Sequence, residues 1–403
     1  MNKKTVKDIS VSGKRVLVRV DFNVPLDNSG EITDDSRIRA TLPTIEYLIG
    51  QTAKVILLSH LGRPKGNVVE ELRLAAVARR LAQLMGRPVG MAADCVGPEV
   101  ERSIAAMENG DILLLENLRF HAGEESGDAS FSAALAKLGD VFVNDAFGTS
   151  HRAHASISGI SNYLPAVAGF RLQKEVQALR KIIGDTAHPF ASILGGAKMS
   201  DKVAMIENIM SRVDSLLIGG AMASTFLKAL AYPVGLSLVE VDMLEKARVI
   251  VRGAEKKRVH LLLPTDVVIA GEISDQTDTE IVAIENVPPD KKIVDMGPRT
   301  IDNFGKELNN CKTVFWNGPM GIYEIPSFAR GTRALANVVA NLEAATIIGG
   351  GSTADIIYEM GLADKMTFIS TGGGASLEFL SGEALPGIDA LLDMTENKTC
   401  GGS

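Results

Sequence analysis

The stretch TIIGGGSTADII (346–357) is an apolar run that ends on three glycines and then continues as a helical pattern. A buried strand followed by a glycine turn and a helix start is the repeating unit of a parallel α/β sheet. Such a break offers backbone amides to a negatively charged ligand, because the helix N-terminus carries a partial positive charge. The first polar residue after the glycines is Ser352. The stretch therefore predicts an anion-binding turn at the end of a strand.

Similar apolar runs alternate with helical patterns along nearly the whole chain. They are almost continuous and bounded by turn residues, which is typical of strands buried on both faces of a parallel sheet. We therefore predict an α/β fold with two doubly wound, Rossmann-like parallel-sheet domains. The predicted strands are RVLVRV (15–20), KVILLS (54–59), DILLLEN (111–117), DVFVND (140–145), FASILGG (190–196), SLLIGG (215–220), HLLLPTDVVIA (260–270), TVFWNG (313–318), ATIIGGG (345–351) and TFISTGGG (367–374).

The segment GFRLQKEVQALRKIIGD (169–185) separates the two predicted domains. Its apolar residues recur at helical spacing, and Gly184 stands at the predicted helix end. A helix that joins two sheets is suited to act as a hinge, and an ordinary crossover helix fits the same pattern. We predict a first domain over residues 1–170, a hinge helix over 171–184 and a second domain over 185–387.

Composition sets limits on the function. A chain of 403 residues is long enough for two domains. Its net charge of −7 argues against a general binder of nucleic acid or anionic membranes. Cys95, Cys311 and Cys400 form neither a disulfide framework nor a zinc spacing, which favours a reducing cytosol. The first residues lack a signal peptide, and no apolar stretch reaches the ~18 residues of a membrane span. We expect a soluble cytoplasmic protein.

The predicted strands of the first half end in basic and amide side chains. Arginine and histidine gathered at one edge of a sheet in an acidic protein suggest a site for a small polyanion, since the arginine fork matches phosphate or carboxylate. The alternative is that each arginine only pairs with a nearby carboxylate. His151 and His154 lack further ligands at a usual spacing, so we do not predict a metal site there. The residues concerned are Arg19, Asp21, Asn23, Arg37, Arg39, His60, Arg63, Arg119, His121, His151, Arg152 and His154.

The predicted strands of the second half end in glycine: GGAKMSDK (195–202), GGAMAS (219–224), NGPMG (317–321), GGGSTA (349–354) and TGGGAS (371–376). Lys198 and Lys202 are spaced to share one face of the first helical turn after Gly195 and Gly196. Amides and two lysines together predict a polyphosphate ligand, as in a nucleotide. The alternative is that the glycines only form tight turns. An anionic substrate on one half and a nucleotide on the other is the arrangement of a phosphoryl-transfer enzyme.

The sequence resembles phosphoglycerate kinase. The motifs run in order to about residue 391: VLVRVDFNVP (16–25), SHLGRP (59–64), ENLRF (116–120), NDAFGTSHRAHAS (144–156), GGAKMSDK, WNGPMGIYE (316–324), FARGT (328–332), GGGSTA and STGGGASLEFLSG (370–382). The resemblance implies reversible phosphoryl transfer from 1,3-bisphosphoglycerate to ADP, giving 3-phosphoglycerate and ATP, with Mg²⁺. It also implies a monomer that closes about a hinge, and a C-terminal tail (about 388–403) that packs on the N-terminal domain.

The resemblance also implies roles for individual residues. Arg37 would contact the transferred group, Lys198 would follow it, and the amides of Gly372 to Gly374 would face it, so the catalytic set is Arg37, Lys198, Lys202, Gly372, Gly373 and Gly374. The triose-phosphate set is Asp21, Asn23, Arg37, His60, Arg63, Arg119 and Arg152. The nucleotide set is Gly195, Lys198, Lys202, Gly219, Gly220, Asn317, Pro319, Glu324, Gly349, Gly350, Gly351, Ser352 and Thr353.

Ser352 departs from the pattern, because the family usually carries a Mg²⁺-binding Asp at this position. A hydroxyl is still a possible ligand, but the loss of a charge should weaken the metal site. We expect Mg²⁺ to be held mainly by the nucleotide phosphates.

Two other functions fit parts of the sequence. GGGSTA matches the G-x-G-x-x-A pattern of dinucleotide-dependent oxidoreductases, yet no acidic residue for the ribose follows about 20 residues on. A non-catalytic nucleotide sensor on the same fold would be expected to lack Arg37 or Lys198, and both are present.

Overall fold

The computed structural model describes residues 2–27, 29–184, 186–370 and 372–394. They form two compact units. Unit 1 comprises the described residues up to Gln177 together with residues 384–394, and unit 2 comprises those from Ala178 to Glu383. No helix among the described residues is long and apolar enough to cross a membrane.

Unit 1 is built on a six-stranded parallel sheet with the strand order β3-β4-β2-β1-β5-β6. The strands are β1 Arg15–Arg19, β2 Lys54–Leu58, β3 Gly90–Met91, β4 Ile112–Leu114, β5 Val141–Asn144 and β6 Ala166–Ala168. The helices are α1 Ser36–Gly50, α2 Ala75–Met85, α3 Pro98–Ala105, α4 Ala122–Ser126, α5 Ala129–Ala136 and α6 Phe170–Ile183. The four predicted strands of this half are confirmed, and the apolar side chains of the two central strands are buried as their runs predict.

Helix α6 contains the point at which the chain passes from unit 1 to unit 2. Its apolar side chains at Leu172, Val176 and Leu179 are buried, as the helical spacing predicts. The first turn is fixed by Asp145, at the end of β5, whose Oδ1 accepts hydrogen bonds from the backbone N–H groups of Arg171 and Leu172 at 2.8 and 3.1 Å. A carboxylate at a helix N-terminus is favourable because it satisfies amides that have no intrahelical partner.

Unit 2 contains a six-stranded parallel sheet, β15-β14-β13-β7-β8-β9, and a separate antiparallel sheet, β11-β10-β12. Its strands are β7 Phe190–Leu194, β8 Ser215–Ile218, β9 His260–Leu262, β10 Asp266–Ala270, β11 Thr279–Ala283, β12 Lys292–Met296, β13 Thr313–Asn317, β14 Ala345–Gly349 and β15 Phe368–Ile369. Its helices are α7 Val203–Ile209, α8 Gly220–Ala229, α9 Leu244–Lys257, α10 Pro298–Leu308, α11 Arg330–Ala340, α12 Gly351–Glu359 and α13 Gly374–Ser381.

Two predicted strands of this half are wrong in extent. The run TFISTGGG (367–374) contains the short strand β15, Phe368–Ile369, and the start of helix α13 at Gly374. HLLLPTDVVIA is two strands in different sheets, because β9 ends at Leu262 and β10 begins at Asp266. Pro264 lies between them and has no N–H to continue a ladder. Strands β11 and β12 have no counterpart among the sequence predictions, since β11 is largely exposed and lacks a continuous apolar run.

The described end of the chain lies against unit 1, to which it belongs. Short helix α14, Pro386–Asp389, is held by Asn144, whose Nδ2 donates to the carbonyl of Gly387 at 2.8 Å. Beyond it, the N–H of Lys4 donates to the carbonyl of Leu392 at 2.7 Å. Residues 395–403 of the predicted tail, with Cys400, lie outside the described residues.

Candidate functional site

The predicted triose-phosphate residues of unit 1 follow the carboxyl ends of strands that are neighbours in the sheet. Strands β4, β2, β1 and β5 lie side by side, so the loops after them share one edge. Asp21 follows β1 and accepts a hydrogen bond at Oδ2 from Nη1 of Arg37, in the first turn of α1, at 2.7 Å. Asn23, also after β1, accepts one at Oδ1 from the N–H of Gly62, after β2, at 2.8 Å. These bonds join three segments of the predicted site.

His60 is held by Arg19, which the sequence analysis names among the basic strand-end residues but which the predicted triose-phosphate set omits. Arg19, fully buried at the end of β1, lies with Nη2 3.1 Å from Nδ1 of His60. Arginine has donors only, so Nδ1 must accept and the ring proton must reside on Nε2. Burial lowers the pKa of His60 well below its ordinary value, and the positive charges of Arg19, Arg119 and Arg37 lower it further. His60 is therefore a neutral imidazole with Nε2–H as its donor.

The charge of Arg19 faces a buried acidic residue, Glu124, which the sequence analysis missed. Nε of Arg19 donates to Oγ of Ser156 at 2.9 Å. The Ser156 hydroxyl in turn donates to Oε1 of Glu124 at 2.6 Å, and its backbone N–H donates to Oε2 at 3.0 Å. Glu124 is fully buried. The available signal in the sequence was Arg19 near the end of the run RVLVRV, which begins with a second arginine, Arg15.

The remaining arginines form a group of like charges. Arg119 is buried and donates from Nη1 to the carbonyl of Gly62 at 2.8 Å. Burial lowers the pKa of Arg119, and the positive charges of Arg152 and Arg63 lower it further. The three guanidiniums are therefore close enough to repel one another. Arg119 also lies 3.2 Å from Glu125. Pairing with carboxylates thus accounts for Arg37 and Arg119, whereas the exposed Arg63 and Arg152 form no ion pair among the described residues.

The two predicted phosphate lysines of unit 2 differ in environment. Lys198 lies exposed in the loop after β7, and Lys202 ends a 3-10 turn, Ser200–Lys202, that precedes α7. The prediction that they share one helical face is therefore wrong, because the helix begins only at Val203. Lys202 is buried, and its Nζ donates to the backbone carbonyl of Asn317 at 2.8 Å and to Oδ1 of the same residue. Burial lowers the pKa of Lys202 to about 7.

The glycines after β7 and β8 serve backbone packing. The N–H groups of Gly195, Gly219 and Gly220 donate to the carbonyls of Asn317, Leu194 and Met320 at 3.0, 2.8 and 3.0 Å. A Cβ on these glycines would lie 2.2 to 2.5 Å from atoms of the neighbouring turns. The amides of these three glycines are already bonded within the protein, and their place in the predicted nucleotide set stays a prediction. A side chain at any of these three positions would push the neighbouring turns apart.

The glycines after β14 and β15 are placed differently. Gly350 caps α12 with a φ of 87°, and Gly373 caps α13 with a φ of 49°, so both occupy a conformation that favours glycine. Neither helix start is capped by a side chain. A Cβ on Gly351 or Gly373 would meet no atom within 4 Å. These two helix starts have space for a ligand, so the anion-binding turn stays a prediction there, whereas Gly349 packs its backbone against Phe315.

Asn317, at the end of β13, presents a buried donor beside this turn. Its Nδ2 has no hydrogen-bond partner although the side chain is 3% exposed. A Cβ on Gly350 would lie 3.2 Å from that Nδ2, so the amide is adjacent to the start of α12. A buried donor without a partner is costly, and an acceptor supplied by a ligand would satisfy it. Thr353, which is buried, instead accepts the N–H of Gly318 at Oγ1 at 2.7 Å.

A cleft of about 430 Å³ opens beside these residues in unit 2. Its wall is mainly apolar, and the predicted residues Gly220, Pro319, Glu324 and Ser352 line it, with the exposed Glu324 offering a carboxylate. The volume and the apolar wall of the cleft suit the planar base of a nucleotide. The apolar lining includes Ala223, Leu227, Val267, Ile293, Met296, Met320 and Ile322.

Asp295 in the cleft wall was missed by the sequence analysis. It is 2% exposed and accepts the N–H groups of Gly331 and Met296 at 2.6 and 2.9 Å. Burial raises its pKa to about 7. Gly331 lies in the first turn of α11, so Asp295 fastens that helix to β12 and shapes one side of the cleft.

Known proteins resemble the chain over nearly its full length. The family described as Phosphoglycerate kinase matches residues 6–383. Phosphoglycerate kinase of Moorella thermoacetica is 54% identical over 98% of this chain and 100% of its own length. That of Herpetosiphon aurantiacus is 53% identical, again over 98% of this chain and 100% of its own.

Solved structures agree with these relatives. Phosphoglycerate kinase from Coxiella burnetii has a TM-score of 0.86 at 40% identity, covering 96% of this chain and 98% of that one. The enzyme from Pyrococcus horikoshii OT3 has a TM-score of 0.83 at 31% identity, with the same coverage. By full-length sequence match and by fold, this chain belongs to the phosphoglycerate kinase family.

Proposed function

We propose that the chain performs its family's reaction, phosphoryl transfer between 1,3-bisphosphoglycerate and ADP, with the triose phosphate on unit 1 and the nucleotide on unit 2. The observation that carries this assignment is that each unit gathers groups suited to an anion at the carboxyl edge of its sheet. Unit 1 gathers arginines around a neutral histidine, and unit 2 joins an open helix start to an apolar cleft. The first arrangement suits a small polyanion, and the second suits a nucleotide.

The triose phosphate is assigned to the cationic edge of unit 1. Arg63 and Arg152, which are exposed and form no ion pair among the described residues, would contact phosphate oxygens. His60 would add a neutral donor through Nε2–H. Asp21 and Asn23 would orient Arg37 and the loop after β2, as their hydrogen bonds do in the free protein.

The nucleotide is assigned to the cleft of unit 2. The base would occupy the apolar wall near Pro319, and Glu324 at the rim would accept the ribose hydroxyls. The phosphates would lie at the start of α12, where they satisfy Nδ2 of Asn317. Lys202 would gain a phosphate partner beside Asn317, and the exposed Lys198 would reach the terminal phosphate.

We assign Mg²⁺ to the same cleft. The residues present fit a Mg²⁺ site in which the protein supplies few of the ligands. Ser352 contributes one hard oxygen to the cleft, whereas the hydroxyl of Thr353 is engaged by Gly318. Mg²⁺ is commonly held by one or two protein ligands together with substrate phosphates and waters. Bound there, the ion would neutralise phosphate charge, and Ser352 would be its ligand from the protein.

The transfer step needs positioning and positive charge more than covalent chemistry. Arg37 and Lys198 would supply charge to the equatorial oxygens. The amides of Gly373 and Gly374 would face the group in transit, whereas the N–H of Gly372 already donates to Oγ of Ser370 at 3.1 Å. The acceptor oxygen of ADP is already anionic, so no general base is needed in the direction of ATP formation. In-line transfer requires the two substrates to meet with water excluded, and we assign that closure to a hinge at α6.

The setting of the enzyme is part of the proposal. The family resemblance implies a cytoplasmic monomer whose partners are its small-molecule substrates, and the net charge of −7 argues against nucleic acid as a partner.

A coupled assay tests the activity directly. ATP formation is followed with 1,3-bisphosphoglycerate and ADP, with NAD binding measured in parallel. Turnover that requires Mg²⁺ supports the proposal. Tight binding of NAD without binding of ADP would instead favour the oxidoreductase, and binding of ADP without turnover would favour the sensor.

A further inference from the structure

A cluster of possible metal ligands lies in unit 1, in the loops after two neighbouring strands. Asp94 and Cys95 follow the edge strand β3, and His121 follows β4 after the turn Leu118–Phe120. Backbone bonds continue the pairing of β3 with β4 past the strand ends. The N–H of Ala92 donates to the carbonyl of Leu114 at 2.9 Å, and that of Glu116 donates to the carbonyl of Asp94 at 3.4 Å. The two loops are therefore held together before any ligand binds.

The three side chains place different donor atoms close to one another. One ligand atom from each lies within 4.8 Å of the other two, and Nε2 of His121 lies 2.6 Å from Oδ1 of Asp94. Ligand atoms around a tetrahedral zinc are roughly 3.3–3.8 Å apart, given bond lengths of about 2.0–2.3 Å. Closing this cluster on an ion thus requires rearrangement of about an ångström. Stacking of His121 on Phe131, with ring centroids 5.1 Å apart, limits the tilt of the imidazole.

We propose that Asp94, Cys95 and His121 form a binding site for a borderline or soft divalent cation of the Zn²⁺ type. A thiolate, an imidazole and a carboxylate are the ligands such an ion prefers, whereas Mg²⁺ prefers oxygen atoms in an octahedron. The side chains of Asp94 and His121 are 51% and 32% exposed, so solvent reaches the cluster and water can fill the fourth position. None of the three residues belongs to the triose-phosphate or nucleotide set, although His121 is among the basic strand-end residues that the sequence analysis names.

Binding here is coupled to loss of a proton. Burial raises the pKa of the Cys95 thiol well above its ordinary value, and the charges of Asp94 and Glu124 raise it further. The cation must therefore displace the thiol proton and form a metal–sulfur bond in its place, with the proton released to solvent. Spacing along the sequence does not reveal the site, because His121 lies 27 residues from Asp94.

The test is a Cd²⁺ titration of the full chain without nucleotide or phosphate, followed by ultraviolet thiolate-to-Cd²⁺ charge-transfer absorption. Equilibrium dialysis with Zn²⁺ gives the stoichiometry. We expect one equivalent with a thiolate band, no band in Cys95→Ser, and affinity at least about tenfold weaker in His121→Asn and Asp94→Asn. Cys311→Ser, at the other described buried cysteine, and Cys400→Ser should bind like the parent chain.

Several results would overturn the proposal. They are absence of the band, survival of the band in Cys95→Ser, and parent-like affinity in both His121→Asn and Asp94→Asn. Because Cys95 is fully buried, its variant is checked by circular dichroism. If it does not fold, the two variants at the more exposed ligands decide the outcome.

Discussion

The guanidinium of Arg19 lies 3.1 Å from Nδ1 of His60, and both residues are buried at the carboxyl edge of the unit 1 sheet. Because arginine only donates, this contact determines the tautomer of the imidazole. His60 thereby presents a fixed Nε2–H without carrying a charge. The cationic edge thus contains one neutral donor among guanidiniums, placed by a residue that need not touch the substrate.

The Arg19–His60 contact predicts different outcomes for the two amide replacements of His60. In His60→Gln the amide nitrogen can occupy the position of Nε2, whereas in His60→Asn the amide reaches only the position of Nδ1. We expect KM for 3-phosphoglycerate to rise about tenfold more in the Asn variant, on the scale of one hydrogen bond to a charged group. Steady-state kinetics measure this difference.

In Arg19→Met the imidazole of His60 should no longer be held in one tautomer. Nitrogen NMR of His60 should then show the proton distributed between Nδ1 and Nε2. That variant also removes the positive charge that faces buried Glu124 through Ser156, which should lower stability. The double variant Arg19→Met/Glu124→Gln therefore serves as the stability control. Detection of the proton on Nδ1 in the parent enzyme would refute the assignment.

Arg37 and Arg39 give a matched pair in the first turns of α1. Both form ion pairs, Arg37 with Asp21 and Arg39 with Asp35, each at 2.7 Å. Arg37 lies at the substrate edge, so Arg37→Ala should lower kcat by ~10²–10³, the scale of losing a transition-state donor. Arg39→Ala should leave kcat within threefold. A parent-like kcat in Arg37→Ala would remove Arg37 from the mechanism.

Two glycines should respond oppositely to alanine. In Gly195→Ala the new Cβ would lie 2.2 Å from the carbonyl oxygen of Pro319, so we expect a loss of about 1–3 kcal/mol or more in unfolding free energy. In Gly351→Ala the Cβ meets nothing within 4 Å, so stability should be unchanged within about 0.5 kcal/mol. Denaturant unfolding measures both. Equal effects would contradict the division between packing glycines and the open helix start.

Lys202 predicts proton uptake when ADP binds. Its pKa of about 7 in the free protein lies below the ordinary 10.5, so at pH 8 most of the side chain is neutral. A phosphate beside it favours the charged form, and binding should take up as much as about one proton. Calorimetry in two buffers of different ionisation enthalpy counts the protons. Uptake should vanish in Lys202→Met and persist in Lys198→Met. Proton uptake in both variants would show that a group other than Lys202 binds the proton.

Ser352 predicts a high requirement for free Mg²⁺. Ser352→Asp adds a charge to the cleft, so ADP should bind at about tenfold lower free Mg²⁺, a gain of about 1.4 kcal/mol. The measurement is the dissociation constant of ADP by calorimetry across a Mg²⁺ series. Ser352→Ala is the control, and should need more Mg²⁺ than the parent if the hydroxyl is a ligand. Identical Mg²⁺ dependence in the parent and in Ser352→Asp would show that residue 352 does not contribute to Mg²⁺ binding.

Most strands of the two parallel sheets were predictable because buried strands leave continuous apolar runs such as KVILLS, found as Lys54–Leu58. The short edge strands β3 and β6 were not predicted. The polar residues at strand ends were predictable for the same reason, since the end of a run shows where a loop begins. The antiparallel sheet was not, because the exposed β11 carries no apolar run. The different roles of the glycines were also not predictable, because Gly195 and Gly351 look alike until their neighbours are known.

The sequence alone determined the α/β class, the two halves, the basic and glycine-rich strand ends and the family, since each depends on local pattern. Tertiary structure decided which amides are already bonded, that Lys202 is buried against Asn317, and that Arg19 sets the tautomer of His60. It also decided that Asp94, Cys95 and His121 meet. These features depend on contacts between loops that are distant in the chain, and residue order does not specify such distances.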